Sequence, residues 1–128
     1  MSKTVLFVDD EPNICHALQR VFADEIDLDV VTAGDGPQAL ELLASRPVDL
    51  VVSDEMLPGM DGIALLGSVR RLYPDIQVMM LTGYAEDKGS EIGDALGRDI
   101  VIVNKPWETD ALRRVVRELL GRRESRAE

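Results

Sequence analysis

Four short stretches hold the residues whose types could do chemistry together: FVDDEP at 7–12, VVSDEMLPGMDG at 51–62, MLTGY at 80–84 and VNKPW at 103–107. They supply Asp9, Asp10 and Glu11, then Asp54 and Glu55, the hydroxyl of Thr82 and the ammonium of Lys105. Carboxylates crowded into one place raise one another's pKa unless a cation neutralises them. Hard oxygen ligands with room for water suit Mg2+, with Mn2+ as an alternative, and such a cation also takes phosphate oxygens into its shell. With the charge offset in this way, Asp54 can attack phosphorus as a carboxylate nucleophile and form an aspartyl phosphate. Lys105, as a point charge, and Thr82, as a hydrogen-bond donor, would hold the phosphoryl oxygens.

That chemistry needs a scaffold that brings the four stretches to one place. Strand-like runs recur at Thr4–Val8, Leu28–Thr32, Leu50–Ser53, Ile76–Leu81 and Ile100–Val103. Several are continuously apolar, as expected for parallel strands covered on both faces. Helical patterns lie between them. In the first, Ile14, Ala17, Leu18, Val21 and Phe22 form an amphipathic stripe, with Pro12 suited to the opening turn. Further helices are expected over Pro37–Ala44, Ile63–Leu72, Ala85–Leu96 and Thr109–Leu120. The fourth contains Gly89 and Gly93, each costing about 1 kcal/mol relative to Ala, so it is expected to be the least stable. Strands alternating with helices specify an α/β protein with right-handed crossovers, and five units are too few for a barrel. In an open doubly wound sheet ligands gather beyond the carboxyl ends of the strands, and all four stretches sit there.

The totals agree with one domain. The chain has 128 residues, 45% of them hydrophobic and 30% charged, enough for a single core. No apolar run approaches a membrane span, and MSKTVLFVDD turns charged too soon for a signal peptide. Cys15 is the only cysteine, which leaves neither a disulfide framework nor a cysteine metal site. A cytoplasmic protein with no membrane association is expected. The net charge of −10 is concentrated early, residues 1–66 holding 13 acids and 3 bases. Direct nucleic-acid binding is therefore not expected. The domain is expected over 1–121, with 122–128 as a charged tail or the start of a linker.

FVDDEP, VSDEMLPGMDG, MLTGY and VNKPW, in this order and at this spacing, closely resemble the receiver domains of bacterial two-component response regulators. The resemblance extends over nearly the whole chain. It implies a flavodoxin-like sheet of five parallel strands in the order 2-1-3-4-5, flanked by five helices. It implies Mg2+ bound by Asp9, Asp10, Asp54 and the backbone carbonyl of Met56, with Asp54 as phosphoacceptor. Thr82 would be the switch hydroxyl and Lys105 the phosphate contact, joined to Pro106 by a cis peptide. It further implies a sensor histidine kinase or a histidine phosphotransfer protein as phosphoryl donor. The face formed by helix 4, strand 5 and helix 5 would control an output domain or effector. No conventional turnover enzyme is implied, since the domain acts on its own phosphorylation and dephosphorylation. One position departs from the family pattern: Ile102 stands where an aromatic switch residue is usual, and Tyr84 is a candidate to take over part of that role.

Plainer roles suit other residues. Glu11 is expected to cap the first helix, Asp61 to cap or turn the chain before the third, and Glu55 to lie exposed beside the site. His16 is expected on an exposed face, Cys15 in or near the core and Trp107 in packing. Asp99 with Arg113, Arg114 and Arg117 could pair across a two-fold dimer. Two other functions compete: a phosphate-independent interaction module with this fold, and a haloacid-dehalogenase-like phosphatase. The latter is disfavoured because Asp9-Asp10-Glu11 lacks its DxD spacing and no cap domain is expected from these elements.

Overall fold

A computed structural model describes the backbone of residues 2–127 and the side chains of residues 2–122. Five strands alternate with five helices: β1 (Lys3–Val8), α1 (Pro12–Val21), β2 (Leu28–Ala33), α2 (Gly36–Ser45), β3 (Leu50–Asp54), α3 (Gly62–Leu72), β4 (Gln77–Thr82), α4 (Ala85–Leu96), β5 (Val101–Asn104) and α5 (Thr109–Ala127). The strands form one parallel sheet in the order β2-β1-β3-β4-β5. This is the doubly wound, flavodoxin-like arrangement expected. Helix α5 runs past the expected end at Leu120, because the Arg- and Glu-rich stretch after Gly121 consists mostly of good helix formers. Side chains of the expected tail beyond Arg122 lie outside the described residues.

The sheet carries two cores, and the two-residue strand period separates them. Val5, Phe7, Leu50, Val52, Met79 and Leu81 pack with Leu18 and Phe22 of the α1 side and with Leu112, Val116 and Leu119 of α5. Leu6, Val8, Val51, Val78 and Met80 pack on the other face with Ala39, Leu43, Leu65, Leu66, Val69, Ile92 and Leu96 from α2, α3 and α4. Each fully buried Leu, Val, Met or Phe contributes roughly 1.5–3 kcal/mol relative to exposure. Burial on both faces is why the central strands read as unbroken apolar runs.

Local sequence sets the helix starts. Asp35 accepts from the Gln38 N–H at 2.8 Å, and Asp61 accepts from the Ala64 N–H at 2.7 Å, two side-chain N-caps. Glu11 occupies the N-cap position of α1, but its side chain makes no capping bond. There Asp9 Oδ1 instead accepts the Glu11 N–H at 2.9 Å. Among the described residues no helix is long and apolar enough to cross a membrane.

Candidate functional site

The polar stretches follow directly from the strand ends, and the sheet ladder continues one bond beyond each to hold them. Asp9 N–H donates to Ala33 O at 3.0 Å, Glu55 N–H to Leu81 O at 3.0 Å and Lys105 N–H to Thr82 O at 2.9 Å. Val8 pairs with Ser53, Asp54 with Leu81 and Thr82 with Asn104, which sets Asp9, Asp54, Thr82 and Lys105 along one edge.

Pleat alternation then sorts these side chains into two groups. Asp9, Asp54 and Lys105 continue the α1/α5 face, and they meet. Lys105 Nζ lies 2.9 Å from Asp9 Oδ2 and 3.4 Å from Asp54 Oδ1. Carboxylate oxygens of Asp9, Asp10 and Asp54 come within 4.8 Å of one another, with Asp10 exposed and the other two buried. Burial pushes the Asp54 carboxyl up, Lys105 opposes this and Asp9 reinforces it. Burial would lower the Lys105 pKa, but its bond to Asp9 and the charges of both carboxylates raise it. The Lys105–Pro106 peptide is cis.

Glu55 and Thr82 continue the opposite face, toward α4, and form the second group. Thr82 Oγ1 donates to Glu55 Oε1 at 2.7 Å, while Glu55 Oε2 pairs with Lys88 Nζ of α4 at 2.9 Å. Glu55 is only 6% exposed, which corrects the expectation of an exposed residue. The reason is its position: one residue beyond Asp54, it points back under α4 instead of out over the loop. Burial pushes its carboxyl up, but the bonds from Lys88 and Thr82 outweigh this and lower it. Tyr84 joins both partners, its N–H donating to Thr82 Oγ1 at 3.0 Å and its ring centroid lying 5.6 Å from Lys88 Nζ. Tyr84 is 53% exposed. Ile102 is half-buried and packs against the core on the α2–α4 face.

An open cavity of about 420 Å³ spans both groups, lined by Asp10, Asp54, Glu55, Met56, Thr82, Tyr84 and Lys105 among others. Three hard carboxylates around one point, with Asp54 disfavoured as an anion by burial and by Asp9, fit a divalent cation. Gly62 keeps the loop after Asp54 close. A Cβ there would lie 2.1 Å from Asp54 O, and the Gly62 N–H donates to Glu55 O at 2.7 Å.

The sequence reading assigned no role to Lys88 or Gly62, and it put Glu55 beside the site but at the surface. Lys88 had a signal, being the only base between Arg71 and Arg98. The expected two-fold pairing loses two of its arginines to contacts within the chain. Arg113 Nε donates to Val21 O at 2.8 Å, and Arg117 pairs with Asp27 at 2.8 Å and with Glu25. Cys15 is buried, its Sγ 3.4 Å from Asp9 O, and burial raises its thiol pKa. His16 is exposed and Trp107 packs against the α1/α5 core.

The response regulator receiver domain profile matches residues 5–117. The chain belongs to the response-regulator receiver family. Sporulation initiation phosphotransferase F of Bacillus subtilis is 32% identical over 120 residues, covering 94% of this chain and 95% of that one. The hydrogenase transcriptional regulatory protein HoxA of Bradyrhizobium diazoefficiens is 33% identical over 115 residues, 90% of this chain but 23% of that one. The receiver thus spans about a quarter to a half of the first curated relatives it matches. Among solved structures, the receiver domain of an HD domain-containing protein from Pseudomonas fluorescens superposes with a TM-score of 0.89 at 34% identity, covering 98% of this chain and 99% of that one. Receivers are signalling domains of two-component systems, not conventional turnover enzymes.

Proposed function

We propose that Asp54 is the phosphoacceptor of this receiver. One observation carries the reading: Asp54 lies buried at the central strand end, with Lys105 on one side and the carboxylates of Asp9 and Asp10 within 4.8 Å. The donor is a phosphohistidine on a sensor kinase or phosphotransfer protein. An Asp54 oxygen attacks phosphorus, an O–P bond forms, and the P–N bond breaks with its electron pair passing to the imidazole nitrogen. Water later attacks phosphorus, releasing phosphate and restoring the carboxylate. Asp9, Asp10, Asp54 and the Met56 carbonyl would hold a divalent cation, which would supply positive charge to offset the carboxylates and the incoming phosphoryl group.

The chain's own residues do the positioning. Lys105 now balances Asp9 and Asp54 and turns to the phosphoryl oxygens as their charge arrives. Thr82 supplies a hydroxyl to the same oxygens. The α4–β5–α5 face carries the change to an output domain or effector, and the cytoplasm is the compartment this reading requires. Nothing in the site favours the phosphatase or phosphate-independent alternatives.

Trp107 directly follows Pro106 and supplies the assay. Titration with Mg2+ and then beryllofluoride, a phosphoryl mimic, is expected to change its fluorescence saturably, and Asp54→Ala to abolish the beryllofluoride step. Silence in the wild type, or an unchanged response in Asp54→Ala, refutes the assignment.

A further inference from the structure

We propose that Glu55 is a positioning residue for phosphoryl capture: it holds the Thr82 hydroxyl away from Asp54 until a phosphoryl group competes for that donor. The inference rests on Asp54 being the phosphoacceptor and adds a residue that the phosphoryl chemistry itself does not require.

The geometry is specific. Thr82 is 1% exposed and has one hydroxyl hydrogen, and that hydrogen is directed to Glu55 Oε1 at 2.7 Å. A phosphoryl oxygen on Asp54 can receive it only if this bond breaks. Hydrogen bonds to charged acceptors are among the stronger ones in proteins, so the competition is energetically significant. Glu55 itself can release Thr82 without becoming a buried orphan, because Oε2 keeps Lys88 at 2.9 Å. Lys88 lies in the first turn of α4 and its ammonium lies 5.6 Å from the Tyr84 ring centroid. Loss of the Thr82 bond therefore changes what Glu55 holds and, through Lys88, how the start of α4 is tethered. Ile102 packs against the apolar core, so Thr82 reaches α4 through polar contacts: the Tyr84 N–H at the α4 N-cap and, through Glu55, the Lys88 ammonium.

The test is a beryllofluoride titration of the whole chain at saturating Mg2+, read by Trp107 fluorescence and by the amide resonance of Tyr84, whose N–H donates to Thr82 Oγ1. Glu55→Ala is expected to tighten beryllofluoride by about tenfold, the scale of one hydrogen bond to a charged group. In metal-free Glu55→Ala, the Tyr84 amide should already be shifted toward its position in loaded wild type. Glu55→Gln keeps an acceptor for Thr82 and should stay within about threefold of wild type, about half of a tenfold step in free energy. In a Thr82→Ala background the gain from Glu55→Ala should vanish.

Equal tightening in Glu55→Gln, or a gain that survives in Thr82→Ala, would mean that Glu55 acts only through its charge, and overturns the proposal. So does unchanged affinity in Glu55→Ala. A wild type that binds no beryllofluoride is a different failure, since it removes the phosphoacceptor reading beneath the proposal.

Discussion

Replacement of Gly62 by alanine should destabilise this domain although alanine is the better helix former. Gly62 opens α3, and its backbone requires no unusual φ. On propensity alone, Gly62→Ala would gain up to about 1 kcal/mol. Its new Cβ, however, would meet Asp54 O at 2.1 Å and Glu55 Cα at 3.0 Å, both backbone atoms at the end of β3. To reach even 3.0 Å from the carbonyl, the end of β3 and the start of α3 must separate by about 0.9 Å. Overpacking of this kind costs about 1–3 kcal/mol, and stretching the Gly62–Glu55 bond adds about 0.5–1.5 kcal/mol. The expected net loss is about 2–3 kcal/mol, or roughly 8–12 °C in Tm for a domain of this size. Urea unfolding followed by Trp107 fluorescence and circular dichroism measures it. Gly67→Ala is the matched control, because its Cβ would meet only Leu96 Cδ2 at 3.9 Å. It should gain up to about 1 kcal/mol. A Gly62→Ala protein as stable as wild type, with an unchanged m-value, would refute the argument from close approach.

Two further outcomes concern the charges. Burial, aided by Asp9 and opposed by Lys105, raises the Asp54 pKa above 3.8. A carboxyl raised on folding stabilises the fold below its unfolded pKa and loses that contribution as pH rises through the folded value. Without Mg2+, Asp54→Asn should therefore be more stable than wild type at pH 7, with the difference closing as pH falls toward 3.8; urea midpoints across that range decide it, and a gain independent of pH contradicts it. Lys105→Ala leaves Asp9 and Asp54 without the ammonium now at 2.9 and 3.4 Å. It should cost about 2 kcal/mol at pH 7, with Mg2+ recovering part, and carbon NMR should show the Asp54 carboxyl titrating higher still; unchanged stability and titration would show that the lysine is not neutralising the pair.

Most of the scaffold was legible because its signals are local. Continuous apolar runs at Leu50–Val52 and Val78–Leu81 reflect burial on both faces, and the 3.6-residue stripe around Leu18 reflects one buried helix side. Asp9, Asp54, Thr82 and Lys105 were legible because each immediately follows or ends such a run. Glu55 was not, because an acid after a strand end reads as solvent-facing, and its burial depends on Lys88 arriving from 33 residues further along the chain. The same limit applies to Arg113 and Arg117. Their positive charge is plain in the sequence, but their acceptors, Val21 O, Glu25 and Asp27, lie in the α1–β2 region that only the fold brings beside α5.

The division between the two polar groups follows from the two-residue period, and it bears on how a receiver without an aromatic at 102 can respond. Asp9, Asp54 and Lys105 share one parity along their strands, while Glu55, Thr82 and Ile102 share the other. If Asp54 takes the phosphoryl group as proposed, the arriving charge acts first on Lys105, which lies on the α1/α5 side and has no contact of its own with α4 among its ion pairs. Influence on α4 has to cross to the other parity, and Thr82 offers one crossing, since its backbone carbonyl holds Lys105 N–H at 2.9 Å while its side chain holds Glu55 at 2.7 Å. An apolar Ile102 can repack but cannot exchange one hydrogen-bond partner for another. If Glu55 holds Thr82 as proposed, the exchange falls to Thr82, Glu55 and Lys88, and it acts on α4, whose interior Gly89 and Gly93 each lower helix propensity.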